Sequence, residues 1–181
     1  MRPDIGFLRV KFRVLPLWHW RWAFYLHVFS SIPVILGGFI QFSMTFLKQF
    51  PVAHRRIGQL YVFLILFISA PSGFWMALYA EGGFWGQLGL SITAILWVIF
   101  TALSWIYVLR KDFNRHSDYM VRSYALTLSA IVFRMGTYAG VAWFPMLDPD
   151  TVYATIAWLS WIPNLIIAEI LIKQRFFILK N

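Results

Sequence analysis

The chain has no cysteine and only seven acidic residues among 181. Without cysteine there is no disulfide, thiolate metal site, iron–sulfur cluster or covalently attached c-type haem. Charge is scarce as well: 13% of residues are charged while 60% are hydrophobic. That balance leaves too little polar surface for a soluble domain. No Walker loop, dinucleotide glycine fingerprint, HExxH or GxSxG is present, so nothing points to a nucleotide, zinc-protease or serine-hydrolase site. The two halves show no repeat of the kind that builds inverted-repeat transporters, and nothing resembles a channel filter.

What the sequence does have is long apolar runs, at 22–47, 57–80, 88–109, 120–143 and 152–172. Each is near or above the ~20 residues that a helix needs to cross a hydrocarbon core of about 30 Å. The expected fold is all-α: a polytopic transmembrane helical bundle of about five spans. Residues 1–21 form a basic segment suited to lie at the interface. Residues 22–175 form the bundle and 176–181 a cytoplasmic tail. The basic lead-in resembles a secretion signal, but the first apolar run is too long and no small-x-small cleavage site follows it.

The net charge of +9 would suit a polyanion, but the basic residues sit beside helix ends rather than in one patch. Anionic headgroups and topology selection explain them, and no nucleic-acid partner is expected. Lys48, Arg55 and Arg56 follow the first run, Arg110, Lys111 and Arg115 the third, and Lys173, Arg175 and Lys180 the last. The connections at 81–87 and 144–151 carry no basic residue and hold Glu81, Asp148 and Asp150. The positive-inside rule then places the basic turns and the C-terminus in the cytoplasm of an inner-membrane protein. Arg2, Arg9, Lys11, Arg13 and Arg21 in the outer N-terminal segment run against that rule.

Polar residues inside the runs are the functional candidates. His54 and His116 lie at the cytoplasmic starts of the second and fourth spans, and His27 lies near the outer end of the first. Two neutral imidazoles at one membrane face are the donor pair a b-type haem takes as axial ligands. Histidines at an interface also serve simply to touch headgroups or cap a neighbouring helix. An ionisable residue within a span costs at least ~2.5 kcal/mol, so it faces a partner, a cavity or a ligand. At about 1.5 Å per residue, Arg122 and Glu169 fall at the same depth and can pair. Arg134 lies deeper toward the outer face. It can reach Asp148 or Asp150, hold an anion such as a haem propionate, or snorkel to headgroups. Pro163 and Asn164 suggest a kink with a polar clamp in the last span, Pro71-Ser72-Gly73 a break in the second, and Gly37-Gly38 a close approach in the first.

In order along the chain come His27, Gly37-Gly38-Phe39-Ile40-Gln41-Phe42, and His54-Arg55-Arg56-Ile57-Gly58-Gln59-Leu60-Tyr61. Ser72-Gly73, Glu81-Gly82-Gly83, His116, Arg122-Ser123-Tyr124-Ala125-Leu126-Thr127, Trp161-Ile162-Pro163-Asn164-Leu165 and Glu169 follow. This pattern resembles a bacterial membrane-protein family catalogued as domain of unknown function 2306. Where members carry a basic residue straight after the third histidine, this chain has Ser117. The resemblance implies a membrane bundle and no particular activity. At the level of architecture alone the arrangement is distantly similar to cytochrome b561.

Three functions stay open. The first is a haem-b electron-transfer bundle, with His54 and His116 on the iron and His27, Arg122 and Arg134 contributing to cofactor binding, served by a redox partner. The second is a non-catalytic subunit of a membrane complex or a homo-oligomer, with Asn164 and Glu169 as structural clamps among lipids. The third is a small-molecule or proton pathway.

Overall fold

The structure, a computed structural model, describes residues 16–144 and 146–178. The expected interfacial anchor falls largely on residues 1–15, and the tail's end on 179–181, outside the described residues. Every regular element among the described residues is helical. Helices satisfy their own backbone, as an uncharged segment in lipid must.

Helix α1 runs Trp18–Gln41, α2 Met44–Gln49, α3 Pro51–Leu64, α4 Ala70–Ala77, α5 Gly83–Leu109, α6 Phe113–Trp143, α7 Pro149–Leu159 and α8 Ile162–Ile178. A π turn, Ile65–Ser69, joins α3 to α4 without a break. Among the described residues, four rods are long and apolar enough to span a membrane: α1, α3 through α4, α5, and α7 with α8. The fifth expected span, α6, has 31 residues and so extends about 46 Å. It is more polar than the others, and its Ser123, Thr127 and Ser129 turn inward. Helix α5 packs against α4, α6 and α7, while α1 lies on α3 and α4, and α8 on α6. Large apolar side chains such as Phe39, Phe67 and Ile99 remain on the outside, where lipid is the solvent.

Three local expectations change. The first apolar run is not one helix: α1 begins at Trp18 and stops at Gln41. Ser43 then accepts from the Phe46 amide at 3.2 Å and opens α2, an N-cap that starts a new helix where hydrophobicity alone would continue the old one. Pro71 does not break the second rod. The π turn ahead of it widens the helix, and Pro71 sits directly after that turn at the start of α4. In the last rod the interruption falls at Ser160–Trp161, with Pro163 in the first turn of α8.

The turns sort by charge. At one end, which carries the basic turns, Asp112 caps α6 by accepting from the Arg115 amide. At the other, which carries the acidic turns, Asp148 caps α7 and Asp150 accepts from the Gly82 amide at 3.1 Å. Gly82 has φ +79°, and a Cβ there would meet the Ala154 backbone at 2.8 Å. Only glycine fits this turn.

Candidate functional site

The five residues expected to hold a cofactor fall into two groups at opposite ends of the bundle. His54, His116 and Arg122 lie toward the basic turns, and His27 and Arg134 toward the acidic ones. Along α6, about 27 Å separate His116 from Arg134 at roughly 1.5 Å per residue.

At the basic end, His54 and His116 come from different rods and are close enough for their charges to interact. His116 Nδ1 lies 3.0 Å from the Ser104 carbonyl and 3.0 Å from its hydroxyl, which in turn donates to the His116 carbonyl. A carbonyl only accepts, so His116 carries its proton on Nδ1 and keeps Nε2 as the free valence. His54 Nδ1 is buried without a hydrogen-bond partner. Arg122 is committed elsewhere: Nε and Nη2 donate to the two Glu169 carboxylate oxygens at 2.5 and 3.0 Å. Its guanidinium also lies over the Tyr119 ring, 4.9 Å from the centroid. Asn164, one turn before Glu169, donates to the Ala125 carbonyl at 3.2 Å. Both Glu169 and Asn164 therefore tie α8 to α6.

The middle of the bundle holds a cluster that the sequence did not single out. Tyr61 is 1% exposed, and its hydroxyl lies 3.1 Å from Ser123 and 3.0 Å from Thr127. Ser123 meets Thr101 at 2.7 Å, and the Trp97 indole N–H donates to Thr127 at 3.2 Å. Thr101, Ser104 and Ser123 have no exposed surface at all. Four hydroxyls in mutual contact satisfy one another in a medium where an unpaired one is costly. Two of them, Ser123 and Thr127, belong to α6 and add to its polarity.

Toward the acidic end a cavity of about 160 Å³ opens between α1, α4, α5, α6 and α7, lined in part by His27, Thr127, Arg134 and Tyr153. Thr127 belongs to both the cavity wall and the hydroxyl cluster. His27 Nδ1 donates to the Ser69 carbonyl at 2.8 Å, at the end of the π turn, so its proton too is fixed on Nδ1. Gly73 makes the room for that ring: a Cβ there would lie 2.9 Å from His27 Cε1. Arg134 is near enough to His27 and to Tyr153 to interact electrostatically with each. Asp148 and Asp150, the acids expected to be within reach of Arg134, are engaged in the turn contacts described above.

Among the described residues no three His, Cys, Asp or Glu side chains cluster as metal ligands. A haem would have to take its donors at the basic end, from His54, whose Nδ1 is buried without a hydrogen-bond partner, and from His116. It does not fit in the cavity: pockets for drug-sized ligands run to about 300–1,000 Å³, and the cavity is smaller than that.

Residues 24–172 match the family described as predicted membrane protein, DUF2306. The chain belongs to that family. No curated protein and no solved structure was found to match it. The family and the four long apolar rods establish a multi-pass membrane protein in contact with lipid.

Proposed function

We propose that this DUF2306 protein conducts protons along the interior of its bundle, from the His54–His116 end to the cavity at the acidic end. The observation that carries the reading is the run of polar groups at the bundle's centre: Thr101, Ser123, Tyr61 and Thr127, joined by contacts of 2.7–3.1 Å. On the basic side, Ser104 lies one helical turn from Thr101 and contacts His116. On the acidic side, Thr127 lines a cavity with room for several waters at about 30 Å³ each. Titratable imidazoles stand at both mouths, and hydroxyls that either donate or accept stand between them. That is the chemistry of a proton relay. The basic turns would face the cytoplasm of an inner membrane, which makes the cavity the outer mouth.

The test is dissipation of an imposed pH gradient in vesicles containing purified protein, followed with a trapped pH-sensitive dye. A relay dissipates the gradient faster than protein-free vesicles do. Equal rates overturn the reading.

One observation favours a second reading: the unpartnered His54 Nδ1 beside His116. It supports a b-type haem ligated there, which would supply one-electron transfer. The chain's own part would be to anchor the His116 ring through Ser104. Arg122, already held by Glu169, would stabilise the helices rather than a propionate. A reduced-minus-oxidised visible spectrum of protein expressed with haem supplied checks this. Sharp α and Soret bands lost on substituting His116 support it, and a flat spectrum from folded protein sinks it.

A further inference from the structure

We infer that a groove between α1, α6 and α8 at the basic end is a binding site for one anionic phospholipid, with an acyl chain along the groove and the phosphate at its basic rim. The lining shares no residue with the hydroxyl cluster, and the site does not require the relay to conduct.

The groove exists because two helices miss each other. Helices α1 and α8 each pack on α6, and among the described residues they do not meet one another. The gap between them holds about 800 Å³, within the range of about 300–1,000 Å³ typical of small-molecule sites. Ala125 and Ala168, both buried, keep its floor low, and Phe39, Leu128 and Leu171 form apolar walls. The three polar side chains in the lining are engaged with backbone. Tyr124 donates to the Ile35 carbonyl, Asn164 donates to the Ala125 carbonyl, and Ser43 accepts from the Phe46 amide. Hydrocarbon is the complement of such a surface.

The length of the groove fits one leaflet. Along α8 the lining runs from Asn164 to Ile172, about 12 Å at 1.5 Å per residue. Half of a hydrocarbon core of about 30 Å is ~15 Å. Lys173 follows at once and marks the headgroup level. On the α1 side, Phe42 and Ser43 line the groove, and neighbouring Gln41 donates to the His54 carbonyl at 2.9 Å. That bond sets the start of α3 beside the mouth of the groove. Residues 48–56 bring Lys48, Arg55 and Arg56, all exposed, and no acid. Around Arg122 and Lys173 the carboxylates of Asp118 and Glu169 offset the charge, so the excess of cations lies on the 48–56 side. A phosphate is what such a rim attracts. A chain lying in the groove touches three helices at once and gains more dispersion contacts than one on a convex helix face. That gain separates a held lipid from the passing bulk.

Native mass spectrometry of the detergent-purified, delipidated full chain tests this, with equimolar phosphatidylglycerol and phosphatidylcholine of the same acyl chains in competition. The expected result is one phosphatidylglycerol per chain, retained about fivefold or more over phosphatidylcholine. Leu128→Trp fills the groove from a half-buried position and should remove retention of both lipids. Lys48→Gln, Arg55→Gln and Arg56→Gln together leave the apolar walls untouched and should bring the two lipids to equal retention. These exposed substitutions keep the inference testable if Leu128→Trp does not fold. Four results would overturn it: equal retention of the two lipids by the wild type; a phosphatidylglycerol preference that survives folded Leu128→Trp or the triple variant; displacement of phosphatidylglycerol by glycerol phosphate alone; or a lipid-free dimer that Leu128→Trp splits.

Discussion

The two ends of this bundle hold similar residues in opposite circumstances. At the basic end the intramembrane arginine is clamped on both oxygens of Glu169 and covered by Tyr119. At the acidic end the arginine stands in the wall of a cavity with a histidine and a tyrosine. One guanidinium joins two helices through a carboxylate, and the other lines a chamber where several helices meet. What a buried charge does in a membrane thus depends less on its depth than on whether packing has closed around it.

That contrast separates two kinds of variant: those at the centre and the cavity change transport, and those at the clamps change stability. The largest effect is expected from Tyr61→Phe, which keeps the ring and removes the hydroxyl joining Ser123 to Thr127. Proton flux in vesicles should fall at least tenfold, while stability falls by about 1–3 kcal/mol, the net worth of the two hydrogen bonds removed. Next comes Gly38→Ala. A Cβ there would overlap the Tyr124 ring and lie 3.1 Å from Tyr61 Cε2. Forcing the two apart should cost about 1–3 kcal/mol, read as a lower melting temperature in detergent. Glu169→Ala leaves Arg122 without its carboxylate. Because the Glu169 side chain is 45% exposed, the loss should be about 1–2 kcal/mol, below that of a fully buried pair, with flux nearly unchanged. The smallest effect is expected from Asn164→Ala, which removes the bond to the Ala125 carbonyl. A single interhelical hydrogen bond of this kind is worth about 0.6 kcal/mol. A clamp variant that stopped flux while melting normally would erase the distinction between the two ends.

Much of the fold was legible because lipid imposes a simple rule: long apolar runs become helices, and depth follows from residue number. The Arg122–Glu169 level could be read in that way, since each residue's distance from its helix end is a matter of counting. The hydroxyl cluster could not. Tyr61, Thr101, Ser123 and Thr127 are ordinary residues singly, and only the packing of α3, α5 and α6 brings their oxygens together. The division of the histidines and arginines into two sites was also hidden, because residue type marks a candidate ligand but not its company. The end of α1 was misjudged for a local reason. A serine cap at Ser43 outweighs continued hydrophobicity, and a scan for apolar length does not register it.

The most direct test of the relay is to compare Tyr61→Phe with Tyr124→Phe in the same vesicle assay. The Tyr124 hydroxyl donates to the Ile35 carbonyl rather than to the hydroxyl cluster, so it controls for the loss of a tyrosine hydroxyl as such. A relay through the bundle's centre predicts that Tyr124→Phe conducts like the wild type and Tyr61→Phe loses at least nine-tenths of the flux. Wild-type flux from correctly folded Tyr61→Phe would contradict it.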